Sequence, residues 1–198
     1  MNDNQSNSFY SSPIGEAGVG SIGSIKKELR ASMNGILSAK MREVGMPYKL
    51  VFGVELPRLQ SIAQEFEPNH QLAQQLWNEN IRECKILATM LMPLEHFYPE
   101  VADIWVNETP TAEIAQIAVM QLFSRLPYAA ERAFEWIATD TEITQLYGYL
   151  ILARLLGRGE QLNERSLEEL RDQISAVSET ASLPLRKAIM AVQNEISL

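Results

Sequence analysis

Cysteine and histidine are scarce in this sequence, and their scarcity limits the chemistry it can carry. The single cysteine, Cys84, excludes a disulfide within the chain and a multi-cysteine metal site. The two histidines, His70 and His96, form no HxxxH pair and cannot build a three-ligand zinc site without carboxylate help. A nucleophilic Cys84 would need one of them beside it, so we interpret Cys84 as a small buried residue. No metal is expected.

A glycine-rich motif near the start lacks the context that a cofactor site needs. Residues 18–23, GVGSIG, match the pattern GxGxxG and precede a predicted helix. The dinucleotide fingerprint also requires a strand before its glycines, and residues 11–17, SSPIGEA, are not typical of a strand. We therefore expect no cofactor.

Positive charge is also in short supply. The chain has 17 Lys and Arg residues against 25 Asp and Glu residues, and its formal net charge is −8. Proteins that bind polyanions usually carry an excess of basic residues, so duplex DNA is disfavoured as a partner. The basic excess is confined to the N-terminal end, where residues 1–49 hold six basic and four acidic residues. The six are Lys26, Lys27, Arg30, Lys40, Arg42 and Lys49.

Long apolar runs and a secretory signal are absent. The longest apolar stretch, from Ile86 to Leu94, is interrupted by Pro93 and is far shorter than the roughly 20 residues that span a bilayer. The first residues, MNDNQSNSFYSSP, have neither the basic nor the apolar region of a signal peptide. We expect an acidic cytoplasmic protein with no membrane partner.

Glycine and proline number 10 and 9 among 198 residues, which argues against a turn-rich all-β domain. Residues 1–20 are rich in Asn, Ser and Gly and are predicted to form a flexible tail. From Ser21 onward, apolar residues recur with the 3.6-residue period of a helix, first in one stripe from Ile22 to Val44. The sequence predicts about ten helices in a single domain over residues 21–198.

A weak internal similarity distinguishes between two ways of packing these helices. Trp77 is followed six residues later by Glu83, and Trp136 is followed in the same way by Glu142. The spacing of 59 residues would correspond to two helical-pair units and favours a solenoid over a bundle. We expect Trp77, Trp105 and Trp136 to pack between layers, the alternative being an aromatic floor for a ligand.

Several short motifs resemble the N-terminal half of the bacterial DNA alkylation repair family, the AlkD-like proteins. They are Phe52-Gly53-Val54, Pro57-Arg58, Leu72-Ala73, Leu76-Trp77, Glu83 and Leu87-Ala88, and the similarity extends through Trp105-Val106-Asn107. The resemblance covers about residues 25–195. It implies an all-α fold, a right-handed α-solenoid of HEAT-like helical pairs. The best-known members are DNA glycosylases that excise positively charged N-alkylated purines.

The resemblance also implies where the chemistry should lie, and this sequence departs from it there. Active members have a Trp-Asp-x-x-Asp stretch whose Trp cradles the damaged nucleotide and whose second Asp is catalytic. These positions correspond here to Ala112, Glu113 and Gln116. A phosphate-binding Arg of the family falls near Gly148, and a second cleft Trp falls near Ala191. A neutral glutamine amide cannot supply the negative charge that a cationic sugar requires.

These departures predict a non-catalytic relative that acts as a binding scaffold through its concave face, toward an unknown protein or ligand. Two alternatives stay open. The first is a glycosylase that uses Glu113 as a displaced catalytic carboxylate, and the second is a DNA-structure binder without excision. A basic patch formed by the N-terminal helix with Arg154, Arg158, Arg186 and Lys187 would favour the DNA-structure binder, whereas an acidic concave face would disfavour both DNA hypotheses.

Overall fold

A computed structural model describes residues 20–177 and 180–196, most of which lie in helices. The predicted N-terminal tail falls outside these residues except for Gly20. The eleven α-helices of the described residues are α1 Ile22–Ala31, α2 Gly35–Glu43, α3 Leu56–Gln64, α4 His70–Trp77, α5 Arg82–Leu91, α6 Pro99–Asn107, α7 Ala112–Gln121, α8 Ala129–Ile137, α9 Glu142–Leu156, α10 Glu164–Ala176 and α11 Leu183–Ile196. Within the described ranges, extended pairing is limited to one bridge between Leu50 and Ile81. No helix there is long and apolar enough to cross a membrane.

The continuous stripe predicted from Ile22 to Val44 is two helices rather than one. Helix α1 ends at Ala31, and α2 begins after Asn34, whose side chain accepts a hydrogen bond from the backbone N–H of Leu37. An Asn cap of this kind starts a new helix because it satisfies an N–H group that the helix itself leaves unpaired. Met33 and Ile36, expected in the buried stripe, are instead 56% and 76% exposed.

The helices form two rows, as expected for helical pairs in a solenoid. In the second row α3 packs on α5, α5 on α7, α7 on α9 and α9 on α11. The first row includes α4 and α8, which pack on α5 and α9 of the second row. The buried apolar residues from Ile25 to Val192 form one continuous cluster between the rows. The fold is therefore the predicted all-α solenoid.

Hydrogen bonds between side chains or from side chain to backbone reveal the length of the repeat. The indole N–H of Trp77 donates to Glu108, that of Trp105 donates to Gln74, and the Tyr128 hydroxyl donates to the backbone oxygen of Phe97, each across 31 residues. Equivalent positions of consecutive units therefore lie about one such interval apart. The 59-residue spacing between Trp77 and Trp136 is close to two such intervals.

A series of aromatic rings in contact runs through the core from one repeat to the next. The rings of Trp77 and Trp105 are stacked with centroids 4.1 Å apart. Edge contacts and tilted contacts continue from Trp105 through Phe97 and Phe123 to Trp136. Because all three tryptophans are buried, they pack between layers as predicted and form no open floor for a ligand.

We predict that replacing either Trp77 or Trp136 by alanine lowers the free energy of unfolding by about 3–5 kcal/mol, the usual cost of truncating a large core aromatic. Urea denaturation followed by circular dichroism measures the loss. Tyr98→Ala is the matched control, because Tyr98 is 58% exposed and its truncation should change stability by less than about 0.5 kcal/mol. Tryptophan variants as stable as the parent would contradict this packing.

Candidate functional site

The N-terminal ends of α5 and α7 lie side by side, and this places Arg82 against Glu113. The Arg82 guanidinium donates from Nε to Glu113 Oε2 at 2.9 Å and from Nη2 to Oε1 at 2.6 Å. This is a two-pronged ion pair of the strong kind that arginine forms with carboxylates. Burial lowers the pKa of Arg82, but the hydrogen bonds and charges of Glu113 and Glu83 outweigh it and raise the pKa above its ordinary value. Arg82 is therefore a permanently charged, buried partner of Glu113.

A second carboxylate, Glu83, completes an ionic triad made of Glu83, Arg82 and Glu113. Arg82 Nη1 lies 3.2 Å from Glu83 Oε1 and also donates to the backbone oxygen of Val54 at 3.1 Å. Glu83 is fully buried and accepts hydrogen bonds from the backbone N–H groups of Phe52, Gly53 and Val54 at 3.0, 2.9 and 3.3 Å. The buried charges of Arg82 and Glu83 are therefore both paired and hydrogen-bonded, which is what a buried charge requires.

The segment that Glu83 holds is shaped by a glycine. Gly53 has a φ of +72°, and a Cβ there would lie 2.5 Å from the Asn34 backbone oxygen and 2.6 Å from the Ser38 nitrogen. Phe52 accepts a hydrogen bond from the Asn34 N–H, and the Ser38 hydroxyl donates to Val51. Only glycine fits this position, because φ is left-handed and the α2 backbone is so close. Residues 51–54 can therefore contact α2 on one side and Glu83 of α5 on the other.

The three positions that the family resemblance singled out lie on the first turns of α7 with different environments. Ala112 is half-buried against the core, and Gln116 is exposed. Glu113 is 31% exposed, but both of its oxygens are bound by Arg82. Thr111 caps this helix by accepting from the Ile114 N–H, and its hydroxyl is hydrogen-bonded to Tyr48 at 3.0 Å. The sole carboxylate among the three is occupied by a cation.

Gly148 and Ala191 are not brought to this site. Gly148 lies on α9 in close contact with α8, where a Cβ would be 2.6 Å from both the Ala133 backbone oxygen and Ile137 Cγ1. No side chain fits there without displacing backbone, so Gly148 is a packing residue. Ala191 is exposed on α11. A binding role for either position remains a prediction.

Charge on the second row is sparse. On α5 and α7 the exposed or half-exposed charged side chains are Lys85 and Glu113, and Gln116 lies near the latter. Lys85 is held by the backbone oxygen of Trp77 at 2.7 Å and lies over its ring. The cations named from the sequence, Arg154, Arg158, Arg186 and Lys187, are all exposed, and Arg158 also donates to Ser124. The centre of the row is therefore close to neutral.

Cys84 and the possible metal ligands are the remaining groups that the sequence raised for nucleophilic or metal chemistry. Burial raises the pKa of the Cys84 thiol to about 12, so the thiolate is not formed near neutral pH. Across residues 20–177 and 180–196, no three His, Cys, Asp or Glu side chains are grouped as metal ligands. Cys84 is buried, as the sequence predicted.

The sequence did not single out Arg82 or Tyr48 as site residues. Both act through partners more than 30 positions away, Glu113 and Thr111. Glu83 was noted for its spacing from Trp77, and in the structure its hydrogen bonds are with the backbone of residues 52–54 and with Arg82. The signal available in the sequence was the consecutive charged pair Arg82 and Glu83 at the start of a predicted apolar helix.

Comparison with known proteins assigns a family. A sequence model described as DNA alkylation repair enzyme matches residues 25–196. One solved structure has the same fold and is described as a new family of proteins related to the HEAT-like repeat DNA glycosylases with affinity for branched DNA structures. It is 17% identical, has a TM-score of 0.78, and the match covers 90% of this chain and 76% of that one. No curated protein matches by sequence.

We predict that Glu83→Gln lowers the free energy of unfolding by about 3–5 kcal/mol, because it leaves buried donors and Arg82 without their anion. Chemical denaturation measures the change. Glu131→Gln, an exposed carboxylate on α8, is the matched control and should shift stability by less than about 0.5 kcal/mol. Equal stability of the two variants would mean that the triad does not support the fold.

Proposed function

Because this chain belongs to the DNA alkylation repair enzyme family, we propose that it is a non-excising member, a scaffold that binds branched DNA. We place the binding surface on the exposed side of α3, α5, α7, α9 and α11, which we call the second-row face and expect to be concave. We extend it at the N-terminal end to the basic residues of α1, α2 and Lys49. The proposal has two parts, the absence of base excision and the choice of branched DNA as partner.

The first part depends on one observation, the two-pronged contact between Arg82 and Glu113. Excision of an alkylated base develops positive charge on the sugar, and a nearby carboxylate would have to stabilise it. By the family resemblance, Gln116 corresponds to the catalytic Asp, and its amide has no charge. Glu113 could act only by leaving Arg82, which would strand a buried guanidinium beside one remaining anion.

The second part is supported by where the cations lie. Lys27, Arg30, Lys40, Arg42 and Lys49 have no carboxylate partner in the described ranges and cluster near α1 and α2. Arg154, Arg186 and Lys187 occupy α9 and α11 near the other end. Two separated cationic groups suit a DNA with diverging arms, because each group can contact the phosphates of a different arm.

The net charge of −8 is expected to disfavour linear duplex DNA relative to branched DNA. A straight duplex lying along the second-row face would meet few cations at its centre and would be repelled by the protein as a whole. We expect linear duplex affinity no better than about 10⁻⁴ M at physiological salt, the weak end of non-specific binding. The solved relative of the same fold is described as having affinity for branched DNA structures.

We predict that the purified protein releases no 3-methyladenine or 7-methylguanine from alkylated duplex DNA above the spontaneous rate. Single-turnover assays with chromatographic detection of free base test this. Gln116→Asp restores a carboxylate at the family position and is the informative gain-of-function variant. Excision by the parent protein that Glu113→Gln abolishes would contradict the proposal and support the displaced-carboxylate alternative.

We predict that fluorescence anisotropy at physiological salt will detect at least about tenfold tighter binding to a three-way junction than to a linear duplex of equal length. Each added phosphate contact should steepen the logarithmic salt dependence by about 0.9. Equal affinities, or submicromolar binding to the linear duplex, would overturn the assignment of branched DNA.

A further inference from the structure

A cleft of about 390 Å³ opens at the N-terminal end of the solenoid, away from the Arg82–Glu113 pair. Its walls are the last turns of α1, the extended residues 49–52 and the turn at residues 79–81. Its volume lies within the range of small-ligand sites, which are usually about 300–1,000 Å³. The cleft combines positive charge with an apolar floor.

Three of the six basic residues in the N-terminal region, Lys26, Arg30 and Lys49, converge on this cleft. Lys26 is paired with Glu79 at 2.6 Å. Arg30 and Lys49 are exposed and have no carboxylate partner among the residues that the structure describes. In a protein with a net charge of −8, two uncompensated cations at one cleft select for an anionic group.

The floor is apolar and partly open. Leu50 is 40% exposed, although it is a large hydrophobic residue, and Phe52 and Ile81 are buried beneath the surface. An apolar floor gains nothing from a free phosphate ion or a carboxylate side chain. It favours a ligand that carries a flat apolar group beside its negative charge.

The cleft is held in shape before any ligand arrives. Leu50 and Ile81 form the β-bridge, and Asn80 accepts hydrogen bonds from the backbone N–H groups of Lys49 and Leu50 at 3.1 and 3.3 Å. Phe52 is held by Glu83. The ionic triad therefore also supports the cleft floor, and a ligand would not have to order these residues.

We infer that this cleft binds one unpaired nucleotide, with its phosphate between Arg30 and Lys49 and its base over Leu50. The inference deepens the proposed function, since an unpaired nucleotide is what a DNA branch point can offer and a straight duplex cannot. Arg30 can hold a phosphate with two parallel N–H groups, and Lys49 adds a point charge. The apolar contact distinguishes the nucleotide from other anions.

The double variant R30Q/K49Q tests the phosphate contacts against the matched control R165Q/R171Q, which removes the same charge from exposed positions of α10 outside the cleft. The DNA is a three-way junction with two unpaired thymidines at the branch, and its fully paired counterpart is the comparison. The cleft variant should weaken binding to the junction with unpaired thymidines at least about tenfold and reduce its salt slope by about 1.4. The control should weaken both junctions by less than about threefold. Equal losses in the two double variants would overturn the inference.

The apolar contact is tested with Leu50→Ser against Val44→Ser, an exposed residue outside the cleft. Titration of the dinucleotide pTpT, followed by the amide NMR signals of Leu50, Asn80 and Ile81, reports on the cleft without any branched DNA. Leu50→Ser should weaken pTpT binding and leave binding of inorganic phosphate unchanged, and Val44→Ser should alter neither. Equal affinity of pTpT, inorganic phosphate and a glutamate-rich peptide would show an unselective anion site and overturn the inference.

Failure of this inference is separable from failure of the proposed function. If pTpT shifts the cleft signals but no junction binds, the cleft assignment stands and the branched-DNA proposal fails. If junctions bind but pTpT leaves the cleft signals unchanged, the nucleotide assignment fails and the proposed function stands.

Discussion

The fully buried carboxylate of Glu83 controls both the local fold and the electrostatics of this molecule. It collects three consecutive backbone N–H groups from residues 52–54 and the guanidinium of Arg82. A buried charge is tolerated only when it is paired and hydrogen-bonded, so these contacts have to form together. The loop between α2 and α3 is consequently held against α5, and Gly53 is required because the same loop also passes within contact distance of α2.

The remainder of the solenoid repeats this connection in weaker forms. Trp77, Trp105 and Tyr128 each contact a partner 31 residues away, and Trp136 donates to Asp103 across 33. Each indole or phenol buries its ring between units and keeps its polar atom paired. The repeat is therefore maintained by aromatic packing, while the hydrogen bonds specify which units are neighbours.

The stabilising triad has a consequence for chemistry. The same Arg82 that satisfies Glu83 binds both oxygens of Glu113, the one carboxylate among the three positions that the family resemblance singles out. A carboxylate held in this way contributes to stability, and its charge is already neutralised by a neighbour. Under the proposed function, the contact between Arg82 and Glu113 has two results. It holds α5 against α7, and it prevents base excision. The N-terminal cleft is supported by the same triad through Phe52.

The sequence by itself determined the helical character, because the 3.6-residue period of apolar residues is a local property. It also determined the identities of Ala112 and Gln116, from which we expect the catalytic groups of the family to be missing. The break after Ala31 was not predicted, since the apolar stripe continues through Met33 and Ile36. Asn34 separates α1 from α2 by capping the Leu37 N–H and by donating its own N–H to Phe52. The pairing of Arg82 with Glu113 and the convergence of Arg30 with Lys49 were decided by tertiary structure alone. These partners are 31 and 19 positions apart, and no local periodicity records which side chains meet when two helices and a loop pack together.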